Sequence, residues 1–182
     1  MKESIITYQK KLKISSSLIE IYEAIPFENK EQFIHDLLKA LYKERQENTI
    51  ERNLKASKFP IIKTFDHYSF SGIEFPEKLT LESLKKLDFV KNKENLILYG
   101  AVGSGKTHMS IALGLKAIQN GMQVSFYTVH DLINHLMKAK EEHQLEKAIK
   151  RLLKAELIIL DEWGYLPLHQ EGARLLFEVI SK

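Results

Sequence analysis

The residues with the clearest chemical content form one unbroken stretch, Gly100-Ala101-Val102-Gly103-Ser104-Gly105-Lys106-Thr107, which fits G-x-x-x-x-G-K-[ST] at every fixed position. By average residue usage, a chain of this length meets that pattern by chance about once in a hundred. Each fixed residue has a physical task. Gly100, Gly103 and Gly105 free the backbone for conformations that a side chain would block, so the loop can turn its N–H groups inward onto an anion. A helix opening near Lys106 adds the partial positive charge of its N-terminus. Lys106 reaches β and γ phosphates as a mobile point charge, and Thr107 offers a hydroxyl to Mg²⁺. The stretch therefore reads as a site for the phosphates of ATP with Mg²⁺. His108, on the first helical turn, is grouped with these binding residues, in a packing or supporting position rather than a catalytic one.

A second constellation lies at Leu157-Ile158-Ile159-Leu160-Asp161-Glu162, with Asp161 55 positions after Lys106. A buried parallel strand reads as a continuous apolar run, and ligands bind beyond the carboxyl ends of such strands. Asp161 stands at that end, placed to hold Mg²⁺ directly or through water. Glu162 follows as the candidate general base for an attacking water. An apolar run ending in Asp-Glu is a weak signal alone, since many strands end in a solvated acid. Its weight comes from the glycine-rich loop upstream. Lys106 and Glu162 are thus the candidate catalytic residues, and Thr107 and Asp161 the candidate metal ligands. Arg174 reads as part of a solvated helix face.

The elements that must position these groups alternate from residue 95 onward. Asn95–Tyr99 is an apolar run predicted as the strand leading into the loop. A helix follows from about Lys106 to Gln119 and ends at Asn120-Gly121. Met122–Val129 is a second strand, Asp131–Lys138 and Glu142–Leu153 are helical, Leu157–Leu160 is a third strand, and a helix runs from about Gln170 to Ile180. Strands alternating with helices predict an α/β domain with a parallel sheet.

Upstream, residues 1 to about 57 contain no glycine and, apart from Pro26, no proline. They predict a helical module. Asn29 is placed as an N-cap with Gln32 completing a capping box. Phe33, Ile34, Leu37, Leu38, Leu41 and Tyr42 then form an apolar stripe at helical spacing. The face from Lys39 to Lys58 mixes Lys39, Lys43, Arg45, Arg52, Lys55 and Lys58 with three glutamates, the pattern of a solvated face. Residues 58–94 read as a connector, punctuated by Pro60, Gly72 and Pro76. Its aromatics Phe59, Phe65, Tyr68, Phe70 and Phe75 are placed to dock it on the core, with an adenine ring as an alternative contact.

The whole chain sets limits on these readings. Its 182 residues suffice for one sizeable core or a core with a small module. A net charge of +3 is compatible with a nucleic-acid partner without requiring one. The absence of cysteine removes disulfides and thiolate metal sites. No run approaches the ~18 apolar residues of a membrane span, and the N-terminus lacks a signal peptide's apolar stretch. A soluble, cytoplasmic chain without a membrane partner is expected.

NLILYGAVGSGKTHMSIALGLKAIQNG and LIILDEWGYLPLHQEGARLLFEVIS together resemble the IstB-like ATPases, which serve IS21-type transposition and are AAA+ relatives of the bacterial replicative helicase loaders. The likeness extends to FIHDLLKALYKERQENTIERNLKASKFP, similar to that family's helical N-terminal module, and to IIKTFDHYSF, similar to its connector. Gly164-Tyr165-Leu166-Pro167-Leu168 with Glu171-Gly172-Ala173 resembles the transposition branch rather than the loader branch. The resemblance implies an AAA+ P-loop NTPase, arranged as a helical module over 1–57, a connector over 58–94 and an ATPase core over 95–182. It also implies an ATP-driven homo-oligomer on DNA that helps a transposase engage its target, with the N-terminal helices contributing DNA and oligomer contacts.

Members of that family continue past the point matching Lys182, with a sensor-1 strand, an arginine finger and a C-terminal lid. The sensor-1 strand lies between the two motif-bearing strands, so a sheet incomplete at the C-terminus is expected to leave those strands unbridged. The expectation is therefore firm binding of Mg-ATP, with hydrolysis depending on groups absent from these 182 residues. A helicase loader, or a nucleotide-binding remnant without turnover, stands as the alternative.

Overall fold

The computed structural model describes residues 2–66, 68–164 and 169–182. The chain divides into two compact units, one ending at Glu51 and one running from Arg52 to Lys182. The division falls inside a helix rather than at its end near residue 57.

The first unit holds α1 (Lys2–Lys11), α2 (Leu18–Ala24) and most of α3 (Lys30–Ser57). Asn29 caps α3 as its position suggests, its Oδ1 accepting the Gln32 N–H at 2.9 Å. The reciprocal half of the expected capping box is not made, because the Gln32 side chain donates forward to Asp36. Ser17 donates to the Glu44 carboxylate, tying the start of α2 to α3. Hydrogen bonds from Ser15 and Ser17 hold that carboxyl below the usual range. The apolar stripe of α3 splits into two rows: Phe33, Leu37 and Leu41 are half-buried, while Ile34, Leu38 and Tyr42 are 55%, 60% and 64% exposed.

The second unit is built on two parallel strands, β1 (Val124–Thr128) and β2 (Leu157–Asp161), paired in register from Val124 opposite Leu157 to Thr128 opposite Asp161. β-Branched and aromatic residues dominate β1, the types that fit a pleated, half-buried surface, and β2 is an aliphatic run of Leu and Ile ending on Asp161. Parallel strands need a crossover. It is supplied here by α7 (Val129–Glu141) and α8 (Leu145–Leu152), with α9 (Gln170–Ile180) packed on α7. Leu132, Leu136, Ile149, Leu175, Leu176 and Val179 form the buried cluster among these helices. Lys140 on α7 pairs with Glu171 on α9, and that hydrogen bond lowers the Glu171 carboxyl.

α6 (Lys106–Gln119) lies against the sheet. Its buried face includes Met109, Ile111, Leu113, Ala117 and Ile118. Gly114 is required by close approach: a Cβ there would stand 2.7 Å from both Ile159 Cδ1 and Phe59 Cζ. The helix stops at Asn120-Gly121 as the sequence indicates, Gly121 taking φ +85°. Asn53, near the end of α3, donates to both Gly121 O and Met122 O at 3.0 Å, which fixes the turn from α6 into β1.

One expectation needs correction. Residues 95–99, predicted as a strand, join no ladder: the two strands β1 and β2 form the sheet among the described residues. A strand exists only with a neighbour to take its N–H and C=O groups. The run still alternates, Leu96 and Leu98 half-buried and Ile97 and Tyr99 exposed. The connector read over residues 58–94 contains α4 (Leu81–Lys85) and α5 (Asp88–Lys91), and α4 opens on a Thr80/Ser83 capping box. The stretch Tyr165–Leu168, part of the family resemblance, lies outside the described residues. No helix among the described residues is long and apolar enough to cross a membrane.

Candidate functional site

The glycine-rich loop occupies the gap between residues 94–99 and α6. Gly100, Gly103 and Gly105 take φ of +150°, +78° and +86°, the region that favours glycine. Gly105 is also the N-cap of α6, in a left-handed conformation. Met109 N–H is the first to return to the chain, to Gly105 O at 2.9 Å. The N–H groups of Lys106, Thr107 and His108 precede it and project from the helix's open end. The rest of the loop faces solvent: Ala101, Val102, Gly103 and Ser104 are exposed, Val102 by 92%. The result is a backbone cradle at a helix N-terminus, the arrangement that suits an anion.

Lys106 bends back over this cradle, its Nζ donating to Gly100 O at 2.9 Å and Ala101 O at 2.8 Å. Two carbonyls of the loop thus serve as acceptors where phosphate oxygens would compete for the same ammonium. Thr107 Oγ1 donates to Asp161, at 2.8 Å from Oδ2 and 3.1 Å from Oδ1. The register of the sheet explains the meeting: β2 ends on Asp161, and α6 packs on β2 so that its first turn lies at that end. Thr107 and Asp161, 54 positions apart, link the two motifs through this hydroxyl.

A hydroxyl and a carboxylate side by side suit Mg²⁺, which takes hard oxygens and keeps several waters or phosphate oxygens rather than a full protein cage. Among the described residues no cluster of three His, Asp or Glu forms such a cage. Thr107 and Asp161 would hold the ion from one side and leave its remaining positions to phosphate and water.

Glu162 is exposed and takes φ +59°. For a residue with a Cβ this left-handed conformation costs about 1–3 kcal/mol, and Lys13, Lys58, Leu87, Lys93 and His143 take it as well. Nothing in the sequence signals it. Gly164 follows with φ +83°, so the chain turns sharply immediately after β2. Arg174 is exposed on α9, in agreement with a solvated face.

His108 points away from the cradle. Its Nε2 bonds Thr64 O at 2.7 Å, and its ring meets Tyr68 edge-on at 4.9 Å. Tyr68 also packs on Phe70 and Phe65, with centroids 5.0 and 6.3 Å away. A Cβ on Gly105 would lie 3.1 Å from Tyr68 Cε2. Burial raises the Tyr68 phenol above its ordinary value. Thr64 and Tyr68, the latter backed by Phe65 and Phe70, therefore buttress the first turn of α6. The sequence signalled the aromatic cluster but not that Thr64 and Tyr68 brace the loop. Phe59 belongs elsewhere, edge-on to Phe126 at 5.9 Å over β1.

Residues 23–182 match the family described as IstB-like ATP binding protein. The chain is 38% identical over 151 residues to the protein named as the ATP-binding protein of insertion sequence IS5376 in Geobacillus stearothermophilus, covering 83% of this chain and 60% of that one. It is 38% identical over 154 residues to the corresponding insertion sequence IS21 protein of Pseudomonas aeruginosa, covering 85% and 58%. With the IS232 protein of Bacillus thuringiensis subsp. berliner it shares 33% over 156 residues, covering 84% and 62%. The chain thus spans about 60% of the length of these curated relatives.

Proposed function

The chain belongs to the IstB-like ATP-binding protein family, and from that premise we propose that it binds Mg-ATP at Gly100–Thr107 and Asp161 as a helper ATPase of DNA transposition. The observation that carries the reading is the Thr107–Asp161 hydrogen bond, which joins a phosphate loop to a strand-end carboxylate. Lys106 exchanges the Gly100 and Ala101 carbonyls for β and γ phosphate oxygens. The N–H groups at the start of α6 and the inward loop N–H groups hold the same anion. Thr107 and Asp161 would hold Mg²⁺, which would supply charge neutralisation to the phosphates. Glu162, one residue beyond Asp161, orients a water and takes its proton.

This reading includes an AAA+ arrangement, assembly into a homo-oligomer on DNA, and a transposase as partner. The N-terminal helices over 1–57 contribute DNA and subunit contacts. The names of the relatives, all tied to insertion sequences, favour this over a replicative helicase loader. The test separates binding from turnover. Phosphate release with duplex DNA present is measured for the chain and for Glu162→Gln. Turnover that Glu162→Gln abolishes, with ATP binding kept, supports the roles given. Undiminished turnover in Glu162→Gln removes Glu162 from the chemistry.

A further inference from the structure

α8 is amphipathic in an unequal way. Ala148, Ile149 and Leu152 are buried, and the opposite side carries Lys147, Lys150 and Arg151, continued by Lys154. From residue 138 to 154 there are six Lys or Arg against three Glu, an excess equal to that of the whole chain. The same balance recurs over residues 39–58. The side chains of Lys147, Lys150, Arg151 and Lys154 line a shallow, open concavity of about 920 Å³, which Lys140 and His143 of the α7–α8 corner complete and in which Glu146 is the one carboxylate. Lys140 is engaged by Glu171, and Lys150 lies 3.8 Å from Glu146. Lys147, Arg151 and Lys154 have no ion pair among the described residues and are exposed.

We infer that this α8 surface is a docking face for the phosphate backbone of duplex DNA. Residues 147, 150, 151 and 154 stand at i, i+3, i+4 and i+7, one stripe of a helix. At 1.5 Å per residue the stripe is about 10 Å long, the axial length over which one DNA strand presents roughly three phosphates. Three of the four cations are free to exchange solvent for phosphate. The residues lining the concavity are mostly charged, whereas the core of a protein–protein interface is depleted in charge. The surface also lies apart from the nucleotide site. Residues 153–156 lead from α8 into the start of β2, where Glu156 and Gln123 bond each other. Asp161 is at the other end of that strand, roughly 13 Å on at 3.3 Å per residue.

The inference rests on the reading that the chain works on DNA, and its test keeps the two apart. The full chain is titrated with a duplex DNA of arbitrary sequence over a series of salt concentrations. The variant Lys147→Gln/Lys150→Gln/Arg151→Gln is compared with a variant of equal charge change in the same unit, Lys78→Gln/Lys86→Gln/Lys91→Gln. The α8 variant should bind roughly ten- to a hundredfold more weakly at 0.1 M salt, with the slope of log K against log salt reduced by about 2 to 3. The control should keep most of its affinity, and both should bind ATP as the unaltered chain does. Equal losses in the two variants would overturn the assignment while leaving DNA binding intact. So would an α8 variant that loses duplex RNA but keeps duplex DNA. A chain that binds no DNA at 50 mM salt would overturn both this inference and the reading beneath it.

Discussion

Alanine at Gly105 should destabilise the fold more than alanine at Gly103, and removal of one ring should erase the difference. Both glycines have positive φ, +78° at Gly103 and +86° at Gly105. A Cβ in that region costs about 1–2 kcal/mol at either position. The surroundings differ. Nothing lies within 4 Å of a Cβ at Gly103, whereas one at Gly105 meets Tyr68 Cε2 at 3.1 Å, Oη at 3.3 Å and Cζ at 3.5 Å. Overpacking of that kind adds about 1–3 kcal/mol. At roughly 2–4 °C per kcal/mol for a chain of this size, Gly103→Ala should lower Tm by about 2–8 °C and Gly105→Ala by several degrees more. Thermal unfolding followed by far-UV circular dichroism reads both. In a Tyr68→Ala background, Gly105→Ala should cost no more than Gly103→Ala, a coupling of about 1 kcal/mol or more. Equal losses at the two glycines, or no relief on deleting the ring, would refute the idea that Tyr68 braces the loop.

Asp161→Asn keeps an acceptor for Thr107 Oγ1 but removes the charge that Mg²⁺ requires, so the gain in ATP affinity on adding Mg²⁺ should shrink while binding without Mg²⁺ holds; titration calorimetry with and without the ion checks this. Thr107→Ala should behave alike and Thr107→Ser should not. For Tyr68 the phenol is raised by burial, so the folded state keeps a proton that the unfolded state releases. That contribution is complete below the ordinary tyrosine value of about 10 and is lost as pH rises through the folded value. Tm measured from pH 9 to 11 should fall more steeply for the unaltered chain than for Tyr68→Phe.

Local signals in the sequence carried far. Gly100, Gly103 and Gly105 marked a loop, and all three take positive φ. Asn120-Gly121 marked the end of α6, and Asp161 marked the end of β2. These are properties of a few neighbouring residues, set by backbone sterics and apolar periodicity. What depended on distant partners was less legible. Asn95–Tyr99 has strand composition, but a ladder is made by two segments and composition describes one. Gln32 could serve the capping box or Asp36, and only the packed helix decides between them. Thr64 and Tyr68 bracing His108, 40 or more positions later, belong to the same class. The left-handed Glu162 is imposed by a turn whose geometry its own residue type disfavours.

Titration of Mg-ATP into the chain and into Lys106→Ala bears most directly on the site. Lys106 holds two loop carbonyls at 2.9 and 2.8 Å, which places its ammonium over the cradle. A hydrogen bond to a charged group contributes about 1.5–3 kcal/mol, so the variant should lose roughly 10- to 150-fold in affinity with its Tm little changed. Equal Mg-ATP affinity in the two proteins would contradict the assignment of Gly100–Thr107 as the phosphate site.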